Sequence, residues 1–176
     1  MSSLYFRGKL TYARAFAQSP ADVPGAFVIT PCWGLMPPET IVTLSHMQEM
    51  AAARIDLAEP RYLEPLMRDA AALLAQVSSD AEVVLLGSIA TPKYVEPLLN
   101  VFGERLLFPG TFVGRGDMSR GGLLLRCSRA GEQLEYIPVG PAMRTGSRPA
   151  KLEPFRKSTR GASRKLVKKH GSGRSH

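Results

Sequence analysis

Two cysteines, three histidines and one tryptophan in 176 residues exclude several kinds of chemistry at the outset. Cys32 and Cys127 lie far apart in unlike contexts, which gives neither a disulfide framework nor zinc-ligand spacing. His170 and His176 fall at the end of the chain, so His46 is the only histidine in its body. No local spacing supports a site built from Cys32, His46 and Cys127, and no metal is expected. Phosphate-loop chemistry is also missing, since there is no Gly-x-x-x-x-Gly-Lys-Ser/Thr. The pair Gly114 and Gly116 lacks the third glycine of a dinucleotide fingerprint because Ser119 stands in its place. No cofactor is expected. No run of about eighteen apolar residues is present, so no membrane span is expected. The start "MSSLYFRGKLTYARAF" has no apolar signal core or cleavage site, and a cytoplasmic location is the expectation.

Charge is plentiful but uneven. From Arg144 on there are eleven Lys or Arg against Glu153 alone, a net charge of +10, while residues 1–143 carry twelve basic and fourteen acidic residues, a net charge of −2. The chain therefore divides into a nearly neutral domain, 1–143, and a basic tail, 144–176. The tail is rich in Gly, Ser, Pro, Lys and Arg without apolar periodicity, so disorder is expected there. Arg156, Lys157, Arg160, Arg164, Lys165, Lys168 and Lys169 could neutralise phosphates and gain affinity by counterion release. Nucleic acid, DNA or tRNA, is the expected partner. The bland alternative is a solubilising extension. Phe155 is the tail's only aromatic residue, so base stacking by the tail is not expected.

The domain alternates helical and strand patterns. Leu4, Tyr5, Leu10, Tyr12, Ala13, Phe16 and Ala17 suggest an amphipathic helix over 4–18. "AFVIT", 26–30, has the pattern of a strand buried on both faces. The Ser-x-x-Gln of "SHMQ" suggests a capped helix over 46–56. Leu63, Leu66, Met67, Ala70, Leu73, Leu74 and Val77 line one face of a helix over 61–77. "EVVLLG", 82–87, and "RLLFP", 105–109, are further buried strands, with a helix between them that starts near Thr91 or Glu96 and stops at Gly103. "LLLRCSR" and "EQLEYIPV", flanking Ala130-Gly131, have the pattern of an antiparallel hairpin. Strands joined by helical crossovers imply an α/β fold, a three-layer sandwich with a mostly parallel central sheet and a C-terminal antiparallel hairpin.

In such a sheet the loops leaving the carboxyl ends of the strands meet at one edge, where ligands bind. The third of these loops, "GTFVGRGDMSRGG", has five glycines in thirteen positions. The three loops together offer Trp33 as a stacking face, Gly87, Gly114 and Gly116 for close backbone approach, and Ser88 as a hydroxyl. Lys93, Arg115 and Arg120 are the cations. Asp117 is the nearby acid, a candidate general base or water-orienting group, and Ser119 is a candidate nucleophile without a neighbouring base in sequence. Structural readings stand beside these: glycine-rich connections are common, and arginines on loops are often only solvated. Cys32 with His46 is a further nucleophile candidate. Arg115-Gly116-Asp117 also spells an adhesion tripeptide, a coincidence in a chain without a secretion signal.

"LYFRGKLTYARAFA" followed by "AFVITPCWGLMPPETIV" resembles a family of uncharacterised bacterial domains. The matching positions are Leu4, Tyr5, Phe6, Arg7, Tyr12, Ala13, Ile29, Thr30, Gly34, Leu35 and Pro37. "EVVLLGSIATPKYVEPLLNVFGERLLFPG" is similar to the strand–Gly–helix–strand unit of the uracil-DNA glycosylase-like fold. That resemblance implies an α/β domain related to enzymes acting on nucleobases, although the glycosylase water-activating loop and His-Pro-Ser motif are absent. The leading expectation is a nucleobase-, nucleotide- or nucleic-acid-binding protein, with base modification or N-glycosidic cleavage as its possible chemistry. The alternatives are a non-catalytic accessory protein that binds nucleic acid through its tail, and a small-molecule enzyme using Ser119 or Cys32.

Overall fold

The centre of the protein is a short sheet that helices cover on both faces. The computed structural model describes residues 3–140. The basic residues assigned above to the tail lie outside them. In chain order the elements are α1 (Ser3–Phe16), β1 (Val28–Ile29), β2 (Leu35–Met36), α2 (Leu44–Ala52), α3 (Pro60–Gln76), β3 (Val83–Val84), α4 (Pro92–Phe102), β4 (Leu106–Pro109), α5 (Asp117–Ala130) and β5 (Tyr136–Pro138). Among the described residues no helix is long and apolar enough to cross a membrane.

β3 and β4 pair in parallel, Val83 with Leu106 and Val84 with Leu107, and β5 adds antiparallel to β4. The crossover that parallel pairing requires is supplied by α4. Prolines and glycines place it: Pro92 opens the helix after Thr91, and Gly103 ends it. α3 starts in a similar way, with Pro60 in its first turn and the Glu59 carboxylate accepting the N–H of Arg61.

Two apolar clusters lie on opposite faces of this sheet. Tyr62, Leu66 and Ala70 of α3 pack with Val95, Leu98 and Phe102 of α4 and with Leu106 and Phe108 of β4. On the other face, Tyr5 and Tyr12 of α1 pack with Phe112 and Leu124, and the side chains of Leu86 and Tyr136 join them. α1 and α5 cross almost in backbone contact. A methyl group built at Gly8 would lie 2.8 Å from the Gly121 carbonyl oxygen, and one at Gly121 would lie 2.8 Å from Tyr5 Cα.

Three expectations are corrected. The mixed α/β character holds, but the sheet is not mostly parallel: one pair is parallel and one antiparallel. "AFVIT" does not enter it. Its two paired residues form a separate antiparallel hairpin, β1 with β2, and residues 26–29 are only half-buried. The turn closes through Gly34 at φ 63°, where the Asp69 carboxylate and the Pro65 carbonyl leave no room for a side chain. Third, "LLLRCSR" is the last half of α5 and not a hairpin strand. Gly121 and Leu124 are buried at helical spacing, and Gly131 at φ 70° is a left-handed helix stop whose N–H bonds the Cys127 carbonyl. β5 then pairs with β4 instead.

Candidate functional site

Because β3 and β4 run parallel, the chain leaves both at the same edge. Residues 85–91 lead from β3 into α4, and residues 110–116 lead from β4 into α5. Two helix N-termini and two loops therefore border one stretch of surface. Each helix start carries partial positive charge from its unpaired N–H groups. Ala90, Thr91, Thr111, Gly116 and Asp117 are exposed along it.

The loop from β4 is held in shape by its own arginines. After a 3-10 turn over Gly110–Phe112, Gly114 takes φ 70° and the chain reverses into α5. Arg115 Nε donates to the Thr111 carbonyl at 2.9 Å, and its Nη1 donates to Ser119 Oγ at 3.3 Å. Arg120 reaches back from the first turn of α5. Its Nε and Nη2 donate to the Phe112 carbonyl at 3.3 and 3.1 Å, and its guanidinium lies 5.5 Å from the centre of the Phe112 ring. Both cations therefore brace the loop backbone while placing charge at its surface. Asp117 is the first residue of α5, exposed, where a carboxylate suits the helix dipole.

The other loop contributes a hydroxyl and, at the start of α4, an amine. Ser88 Oγ accepts the N–H of Ala90 at 3.3 Å, and Gly87 beside it is half-buried. Lys93 sits in the first turn of α4 with its ammonium 5.3 Å from the Tyr94 ring centre. Its carbonyl accepts the Tyr62 hydroxyl at 2.7 Å, which ties this end of α4 to α3. Gly87, Ser88, Lys93, Gly114, Arg115, Gly116, Asp117, Ser119 and Arg120 thus all border one edge.

Trp33 lies in the turn between β1 and β2, which pair in a sheet separate from β3, β4 and β5. The Trp33 indole donates to Glu49 Oε2 at 3.2 Å and packs edge-on against His46 with ring centres 4.1 Å apart, both on α2. Its backbone N–H donates to the buried Thr30 hydroxyl at 2.9 Å. Contacts of this kind make Trp33 the pin between the hairpin and α2.

The nucleophile candidates gain no activation. Ser119 is hydrogen-bonded to a guanidinium, which cannot take its proton. Burial pushes the thiols of Cys32 and Cys127 up, with Arg61 only partly opposing the shift at Cys32. An activated thiolate needs the opposite shift. Among the described residues no three His, Cys, Asp or Glu side chains come together as a metal site.

Residues of α1 reach the same edge, and sequence reading had left them in a helix pattern. The Tyr5 hydroxyl donates to the Leu86 carbonyl at 3.2 Å, just past β3, and its ring meets Phe112 edge-on at 6.2 Å. The only hints are Gly8 and Gly121, small residues that let two helices touch. Two clefts, of about 320 and 220 Å³, lie away from this edge, one beside Leu10, Ala13 and the Arg14–Glu39 ion pair, the other beside Phe27 and Asp69. Comparison of the chain with protein-family models, with curated proteins and with solved structures finds no match.

Proposed function

We propose that this protein binds a nucleotide or a nucleic acid, with a phosphate of the ligand at the carboxyl edge of β3 and β4. One observation carries the reading: two helices begin at the ends of the chain's exits from β3 and β4, and Lys93, Arg115 and Arg120 lie in those two connections and first turns. Helix starts and cations together favour an anion there, through N–H donors as well as charge. The exposure of Ala90, Thr91, Thr111, Gly116 and Asp117 suits a polymer backbone or a strand end better than an engulfed base. Base modification or N-glycosidic cleavage, with Asp117 as the base or water-orienting acid, is the catalytic form of this reading and rests on that carboxylate's place beside the cations. The resemblance to the uracil-DNA glycosylase-like fold belongs to the same proposal.

A second reading rests on charge alone. The +10 segment from Arg144 onward can hold a polymer without any contribution from the edge. The two are separated by binding of single-stranded DNA, double-stranded DNA and tRNA across a salt series, with the full chain and a Lys93→Gln/Arg115→Gln double variant. The edge reading expects the double variant to weaken binding and to reduce the slope of log K against log salt by about 1–2. An unchanged slope and affinity would assign the binding to the basic tail and refute the edge reading.

A further inference from the structure

A surface helix of a globular protein turns its apolar stripe inward, and α2 does the reverse. Its sequence, Leu44–Ala52, contains one Leu, two Met and two Ala, yet none of its residues is buried. At about 100° per residue, His46, Glu49 and Met50 share one side of the helix, and Leu44, Met47, Gln48 and Ala51 share the other. The first side meets the body of the protein. His46 and Glu49 hold the Trp33 indole, His46 Nδ1 accepts the N–H of Thr43 at 3.3 Å, and Met50 is half-buried. The second side faces solvent. Leu44 is 73% and Met47 60% exposed, and just before the helix Ile41 is 87% and Val42 39% exposed. Among the described residues these are four of the five exposed large apolar side chains.

Size and charge select what covers this face. By their exposed fractions the four side chains present on the order of 500 Å², in the upper part of the range of about 300–600 Å² for the largest apolar patch on a monomer. The same face from two copies, with the exposed Thr43, Ser45 and Gln48 as its rim, removes about 1,000–1,300 Å² from water, the threshold of a specific interface. Between Glu39 and Glu49 the only titratable residue is His46, on the other side of the helix. An acidic or basic partner finds nothing to pair with there, whereas a second copy brings no like charges together at the centre. Neither the 320 nor the 220 Å³ cleft is lined by a residue of α2. Leu44, Met47 and Ala51, at i, i+3 and i+7, instead form the narrow seam along which two helices pack.

We propose that this face is a homodimer contact, with α2 packed against α2 of a second copy about a two-fold axis near Met47, the middle residue of the seam. An interface this small sets a dissociation constant of about 10–100 µM.

Sedimentation equilibrium of the full chain from about 5 to 500 µM spans that constant and tests the contact. Wild type is expected to pass from monomer to dimer across the range, and more readily as salt rises, because each chain carries a net charge of +8. Met47→Lys and Met47→Glu alter an exposed side chain and should keep the circular dichroism of wild type. Each alone is expected to weaken dimerisation about tenfold or more, the worth of a buried like-charge pair. Mixed in equal amounts the two variants should recover it, because position 47 of one chain meets position 47 of the other with opposite charge. Wild type that remains monomeric at about 500 µM overturns the proposal. Association that Met47→Lys leaves unchanged, or that weakens as salt rises, also overturns it and assigns self-association to the basic segment from Arg144 onward. Failure of the mixed variants to recover the dimer overturns the two-fold packing of α2.

Discussion

Two adjacent glycines in α5 are predicted to respond to the same substitution with opposite signs. At Gly121 a new methyl would sit 2.8 Å from Tyr5 Cα, 2.9 Å from its nitrogen and 3.0 Å from the Leu4 carbonyl carbon. All three neighbours are backbone, so no side-chain rotation makes room. Ordinary contact needs about 3.5–4 Å, and the helices must separate by roughly 0.5–1 Å. Separation loosens Tyr5 against Phe112 and lengthens its 3.2 Å bond to Leu86. Overpacking of this kind costs about 1–3 kcal/mol, the hydrogen bond about 1 more, and the better helix propensity of alanine returns about 1. Gly121→Ala should therefore lose about 1–3 kcal/mol. At Gly122 nothing lies within 4 Å of the new methyl, so only the propensity gain remains. Gly122→Ala should gain about 0.5–1 kcal/mol. Urea denaturation followed by circular dichroism measures both. With a slope near 2 kcal/mol per molar, the midpoints should move about 0.5–1.5 M down and 0.3–0.5 M up. Gly121→Ala as stable as wild type, or both variants moving the same way, would refute the close crossing of α1 and α5.

Three further predictions follow from the same geometry. Thr30 is 5% exposed, and its hydroxyl donates to the Gly34 carbonyl and accepts the Trp33 N–H, each at 2.9 Å. Thr30→Val should cost about 1–3 kcal/mol in urea denaturation and shift the emission of the single tryptophan, because the N–H of Trp33 loses its partner. Gly34→Ala should destabilise by a similar amount or more, since the new side chain meets Asp69 and Pro65 at a positive φ; equal midpoints would contradict the hairpin turn. Alkaline stability has a definite sign. Burial raises the hydroxyls of Tyr5, Tyr12 and Tyr62 above their ordinary value of 10.0, so above pH 10 the native state keeps protons that the unfolded chain loses. Their contribution is intact below pH 10 and is lost as pH rises toward the folded values, by up to about 4 kcal/mol per pH unit for three tyrosines. Lys9 works the other way: stability rises with pH from its lowered value to 10.5 and is flat beyond. Denaturation midpoints between pH 9 and 11.5 check this, and a midpoint that held steady above pH 10.5 would contradict it.

Sequence reading recovered the elements whose signals are local. Pro60, Thr91-Pro92 and Gly103 punctuate α3 and α4, and their apolar spacing has one solution. Leu123-Leu124-Leu125 had two. Three consecutive leucines before an Ala-Gly pair suit a strand and a turn as well as a helix and its stop, and only the burial of Gly121 and Leu124 against α1 decides. "AFVIT" failed for a related reason, because apolar content does not say which strand is the partner. Its pairing is with Leu35-Met36, hidden behind a five-residue connection.

The glycine-rich loop between β4 and α5 was legible because Gly114, Arg115 and Gly116 are unusual between apolar runs. The contacts that α1 makes beside it were not. Tyr5 and Lys9 reach the edge through a contact between Gly8 and Gly121, a separation no local pattern spans. The expectation for Trp33 rested on "AFVIT" as a strand of the central sheet, and β1 pairs with β2 instead.

The most direct test of the central claim is the location of the ligand. Amide chemical shifts of the ¹⁵N-labelled full chain, recorded with increasing uridine 5′-monophosphate, would map it. Saturable shifts concentrated at Ser88, Gly114, Gly116 and Met118 are the predicted result. Shifts confined to Arg156–Lys169, or clustered beside Ala13 and Glu39, would contradict a phosphate site at the carboxyl edge of β3 and β4.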